Sequence, residues 1–177
     1  IKRGFSREAM AELGVGYCRK GLMKGRIAIP IHNGRGELVA YAGRAIDDRM
    51  PIEERYRYPA GFHREWELFN FHRAFRARKS NGFGLLVTAD CLDVLRLYEA
   101  GYENAVALLG RSVSPRQKQL LIGAVGRKSR LTLLLEDGEG LAALILTLAR
   151  DFAVRWLPCR PEALTTTEVQ RLLEEDE

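Results

Sequence analysis

The chain has 177 residues, 46% of them hydrophobic and 29% charged, enough for one domain of ordinary size or two small lobes sharing a core. No apolar run reaches the roughly 18 residues of a membrane-spanning helix. Three cysteines at wide spacing (Cys18, Cys91, Cys159) exclude a local zinc knuckle, so neither zinc nor a disulfide is expected, and the compartment expected is the reducing cytoplasm. The start at Ile1, without an initiator Met or a signal-peptide pattern, reads as a piece cut from a longer protein. Net charge is +5 and uneven: residues 1–80 hold 17 Lys and Arg against 9 Asp and Glu, whereas residues 81–177 hold 11 against 14. A basic half joined to a mildly acidic half suits one surface for a polyanion and another for cations, or else a solubilising surface with chance asymmetry.

In chain order, Ser6 is an N-cap candidate for a short helix that ends at Gly14. Residues 25–32 and 38–44 read as two strands joined by the glycine-rich turn Asn33 to Glu37, with Ile27, Ile29 and Ile31 on one face. Pro30 cannot donate to a ladder, which predicts an edge strand or an outward-turned residue there. Residues 47–67 are polar and irregular, with basic and aromatic residues interleaved at 55–58 and 62–64, a composition that holds phosphates and stacks on unpaired bases. Leu68 to Lys79 reads as a helix carrying Arg73, Arg76, Arg78 and Lys79, broken by Ser80, Asn81 and Gly82.

Beyond residue 83 the rhythm becomes strand–helix alternation. Strands are expected at 83–88, 105–109, 131–135 and 153–157, with helices at 91–100, from Ser114 toward Val125, and at 141–150. Ser114 with Pro115 and Gln117, and Thr165 with Glu168, are capping-box starts, the second for a final helix. The fold class is α/β: a mainly parallel sheet flanked by helices, preceded by a small basic α+β subdomain with a β-hairpin. The expected units are residues 1–80, 81–160 and a C-terminal helix or tail at 161–177. Chemistry in such sheets gathers at strand C-termini, where Asp90, Asp93, Asp137 and Glu139 fall. Asp137-Gly138-Glu139 directly after an apolar strand is either a solvated turn or an oxygen site for a divalent cation that grips phosphates.

Several segments, in order, resemble bacterial DnaG-type DNA primases. Gly4 to Tyr17 looks like the start of that family's catalytic core, and residues 25–31 and 38–44 are similar to its "GR(I/V)MFPI … GFGGR" pattern. Arg55-Tyr56 and Phe62 to Leu68 resemble its "KY" and "FHKGREL" signatures; Leu92 to Val94 and Gly101 to Gly110 resemble "EGYMDV … GFENAVATLG"; Asp137-Gly138-Glu139 resembles "DGD". The resemblance implies a basic subdomain that guides single-stranded DNA template and the RNA–DNA hybrid. It further implies a TOPRIM domain where Mg²⁺ or Mn²⁺ assists RNA primer synthesis from nucleoside triphosphates. The family's zinc-binding and helicase-interacting domains would lie elsewhere in the full protein. The implied acids, catalytic and metal-binding, are Asp93, Asp137 and Glu139, and the implied nucleic-acid contacts are Arg26, Arg44, Arg55, Tyr56 and Arg64.

The departures are local. Ala89 stands where the family has its principal catalytic glutamate, with Asp90 one residue late; Glu139 replaces an aspartate, and only Glu162 remains near the family's "DPD" acids. Trp66 stands where the family has arginine. Two readings follow: a primase core with active or weakened synthesis, and a primase-derived single-stranded DNA-binding module of a replication or mobile-element protein with a degenerate site. A TOPRIM nuclease is a third class.

Overall fold

The structure is a computed structural model, and it describes residues 4–47, 49–77 and 84–175. Among the described residues the strands form two four-stranded sheets. The first is antiparallel, in the order β1 (Gly16–Tyr17), β2 (Ile27–His32), β3 (Leu38–Arg44), β4 (Tyr56–Arg57); the second is parallel, in the order β6 (Ala105–Ala107), β5 (Leu85–Thr88), β7 (Arg130–Leu134), β8 (Ala153–Leu157). The helices are α1 (Arg7–Glu12), α2 (Ile52–Arg55), α3 (Phe71–Ala77), α4 (Cys91–Glu99), α5 (Pro115–Val125), α6 (Leu141–Ala149) and α7 (Thr166–Glu174), with 3₁₀ turns at Arg64–Trp66 and Pro161–Ala163. Among the described residues no helix is long and apolar enough to cross a membrane.

Local chemistry sets the boundaries. Ser6 caps α1 by accepting the Ala9 N–H at 3.1 Å. Asn33 closes the β2–β3 hairpin, its Oδ1 accepting the N–H groups of Arg35 (2.9 Å) and Glu37 (3.1 Å). Both expected capping boxes form, Ser114 with Gln117 on α5 and Thr165 with Glu168 on α7. The expected 68–79 helix is shorter, beginning at Phe71, because Asn70 takes a left-handed backbone (φ 63°) and sends its amide to the Ala105 carbonyl at 2.9 Å. Arg78, Lys79, the breaker Ser80 to Gly82 and Phe83 lie outside the described residues, as does the expected boundary at 80/81. Gly84, the residue before β5, has φ +70°, and a Cβ there would lie 2.2 Å from the Arg130 carbonyl, so only glycine lets β5 and β7 close up.

Pro30 corrects one expectation and keeps another. It is buried rather than turned outward, yet β1 pairs only with Ile27 and Ala28, so β2 has a single neighbour at Pro30 and the missing donor costs no ladder bond on the open side. Alternation then sorts the core. Ile29 and Ile31 join Leu86, Leu92, Leu95 and Val169 in one cluster that spans both sheets, α1, α4 and α7. On the other face of the parallel sheet, Leu85, Val87, Leu131 and Leu133 pack with α3, α5 and α6. Phe69 pairs with Ala107 through both backbone bonds (3.0 and 3.2 Å), which covers the free edge of β6.

Candidate functional site

Where the C-terminal ends of β5, β6 and β7 meet the segment 55–65, a cleft of about 680 Å³ opens. Tyr58 and Phe62 wall one side, ring centroids 5.6 Å apart, with Tyr56 stacked on Tyr58 at 6.1 Å. Four arginines line the cleft, Arg55, Arg64, Arg111 and Arg160, with Glu65, Asp90, Asp93 and Glu136 as its acids. Arg111 gets there through a strained turn: Leu109 has φ 60°, which ends β6 at Ala107 instead of the expected 109, and the Gly110 N–H bonds the Ala89 carbonyl at 3.1 Å. Its guanidinium then donates to the Glu136 carbonyl at 2.7 Å.

Asp90 caps α4, accepting the Leu92 N–H at 2.8 Å, and the same oxygen accepts the Tyr56 hydroxyl at 2.5 Å. Burial, then the Asp90 carboxylate, push the Tyr56 phenol well above its usual range. Asp93 is 3% exposed and accepts the Glu162 backbone N–H at 3.0 Å. Burial and the Asp90 charge raise its carboxyl well above the ordinary carboxylate value. Glu162 is buried as well and pairs with Arg160. Cys159 lines the cleft with its thiol pushed up to about 12, chiefly by burial.

The residues singled out from sequence therefore divide. Arg55, Tyr56, Arg64 and Asp93 come together in the cleft, along with Ala89 and Asp90. Arg44 is 2% exposed, with Nη1 donating to the Ala45 carbonyl at 2.6 Å, so it offers no surface to a phosphate in solution. Arg26 binds the carbonyls of Gly43, Glu54 and Arg55 at 3.1–3.2 Å and fastens α2 to the hairpin. Asp137 and Glu139 sit on an exposed turn outside the cleft lining, where Asp137 accepts the Gly138 N–H at 2.7 Å; Glu136 faces the cleft in their stead. Sequence reading missed Arg111, although a cation directly after the glycine that ends a parallel strand was a usable signal.

The oxygen donors that the cleft offers a divalent cation are the carboxylates of Glu65, Asp90, Asp93 and Glu136. Among the described residues no three His, Cys, Asp or Glu side chains stand close enough together to hold one. Ala89 supplies no ligand atom, and one Asp90 oxygen already accepts two hydrogen bonds.

No family model matches the chain. The DNA primase of Deinococcus radiodurans is 31% identical over 125 residues, which are 71% of this chain and 22% of that protein. The crystal structure of the Aquifex aeolicus primase, zinc-binding and RNA polymerase domains, superposes with a TM-score of 0.77 over 98% of this chain and 54% of its own, at 23% identity. The chain belongs to the DnaG-type primase family. A DnaG primase catalytic domain bound to ssDNA matches with a TM-score of 0.75 at 19% identity, over 98% of this chain and 69% of that domain. The chain spans between 16% and 22% of the first four curated primases it matches. The parallel sheet with its helices and the antiparallel sheet together match this primase core fold. The position resembling the family's catalytic glutamate, Ala89, lies on the cleft wall.

Proposed function

We propose that this chain is a primase-type core that holds single-stranded DNA template in the cleft between its two sheets, with nucleotidyl transfer of its own weak or lost. One observation carries the reading: the cleft keeps four arginines and an aromatic wall, the chemistry for phosphates and unpaired bases, while two of its carboxylates, Asp90 and Asp93, are engaged in internal bonds. Arg55 and Arg64 supply phosphate contacts on the basic half, Arg111 and Arg160 on the other, and Tyr58 and Phe62 present ring faces to bases. Tyr56 acts through Asp90, fixing the start of α4 and so the cleft floor. An RNA–DNA hybrid and nucleoside triphosphates are the further ligands such a core would take, and zinc-binding and helicase-interacting domains the partners it would need in a longer protein. Three free thiols fit a cytoplasmic home.

Incorporation of labelled ribonucleotides on a single-stranded template, with Mg²⁺ or Mn²⁺ supplied, tests the catalytic half of the proposal, with Glu136→Ala as control. The expected product is near background and equal in both proteins. Robust synthesis that disappears in the control would overturn it. Anisotropy of a labelled single strand tests the binding half: affinity should fall steeply with salt, and Arg55→Ala with Arg64→Ala should flatten that dependence by about 1.4 in the log–log slope.

A further inference from the structure

Trp66 is 52% exposed, and its ring stacks on His63 with centroids 4.4 Å apart and planes 19° from parallel. An indole so placed on a loop normally adapts to its surroundings, but here the backbone beneath it is fastened. Ser114 Oγ donates to the Glu65 carbonyl at 2.5 Å, and Gln117 Nε2 donates to the Glu67 carbonyl at 2.8 Å and reaches that of Arg64 at 3.4 Å. The carbonyls on both sides of Trp66 are thus tied to the capped N-terminus of α5, through a glutamine only 1% exposed. On the outer side His63 Nδ1 lies 3.1 Å from Glu65 Oε1, which fixes the imidazole against the indole. Arg64 and Glu65, the two residues before Trp66 in the chain, line the cleft.

A large apolar face held rigid in water contributes nothing to the core, and its rigidity lowers the ordering cost of binding. We infer that Trp66, backed by His63, is a stacking platform for an unpaired base of single-stranded DNA at the mouth of the cleft. The inference rests on the single-strand reading above and is continuous with that surface. Arg64 holds the backbone phosphate while the indole takes the base face, a contact indifferent to sequence because every base presents one. The arginine of the family motif at this position offers charge alone; the tryptophan makes the contact depend on the base.

Affinity for a labelled oligo(dT) and for the same strand with abasic positions separates the two. Trp66→Ala weakens oligo(dT) binding by about five- to one hundred-fold, Trp66→Phe restores most of it, and neither change alters affinity for the abasic strand. In a Trp156→Phe background, oligo(dT) quenches the emission of Trp66 and the abasic strand does not. Loss of affinity from Trp66→Ala that is equal for both strands, or no loss for either, overturns the platform and leaves the cleft as a backbone-binding site. A parent chain that binds neither strand overturns the single-strand reading itself. An RNA strand bound tighter than DNA with the same dependence on Trp66 keeps the stacking face but overturns DNA as its occupant.

Discussion

Replacing Gln117 by methionine keeps the volume of the side chain and removes every hydrogen bond it makes. In the native protein its amide donates at 2.8 Å to the carbonyls of both Glu67 and Leu108, and its Oε1 completes the capping box by accepting the Ser114 N–H at 3.0 Å. Two carbonyls would then be buried without this donor, at about 1 kcal/mol each, and loss of half a capping box adds about 0.5–1 kcal/mol. The sum is about 3 kcal/mol, or a fall in melting temperature of about 6–12 °C for a chain of this length. Urea unfolding followed by circular dichroism measures it. Gln117→Glu should cost more, because a carboxylate keeps the box acceptor but sets charge against the Glu67 and Leu108 carbonyls. Gln117→Met should also weaken oligo(dT) binding, since the Trp66 turn loses its anchor. A loss below about 1 kcal/mol, together with unchanged DNA affinity, would refute the view that this glutamine holds the turn.

Three further outcomes are expected. Tyr56→Phe removes the 2.5 Å bond to Asp90 and lowers stability by about 1–2 kcal/mol in urea unfolding, with the α4 cap bond to Leu92 still in place. Asp93→Asn keeps an acceptor for the Glu162 N–H. Because the native carboxyl is raised by burial, the parent's stability is full below its unfolded value and lost as pH climbs through the raised one. The variant should therefore match the parent in acid and exceed it at neutral pH and above, and a variant less stable at pH 8 would contradict this. His72 has its imidazole depressed to about 4 by burial, then by Arg73, His32 and Arg76; its contribution is present above pH 6.5 and fades as pH falls toward 4. After solvent screening the loss is about 1 kcal/mol, and His72→Gln should abolish that part of the pH dependence of unfolding.

The elements were largely legible because their ends carry explicit chemistry. Ser6, Ser114 and Thr165 each accept the backbone bond that their capping patterns announced, and Asn33 turns the hairpin. The site was legible in part. Arg44 shares the inward parity of β3 with Ala40 and Ala42, so period-two counting alone could have placed it inside; motif resemblance drew attention to its charge instead. Arg26 escaped such counting, because its partners are carbonyls 17 to 29 residues away in sequence. The acids after β7 follow the same rule at one remove. The strand ends at Leu134, so two further residues precede Asp137, and the chain has already turned outward when it reaches the carboxylates. Neither the Tyr56–Asp90 bond nor the Asp93–Glu162 bond could be read from spacing, since each joins segments that meet only in the folded chain.

The hydrophobic cluster that runs from Ile29 and Ile31 through Leu86 to Leu95 and Val169 is shared by the two sheets, beside a second interior that belongs to the parallel half alone. A hinge between them would have to expose that shared cluster, so opening the cleft carries the cost of baring apolar surface. On the proposed single-strand reading, that cost favours a template that slides through the cleft over jaws that open and close.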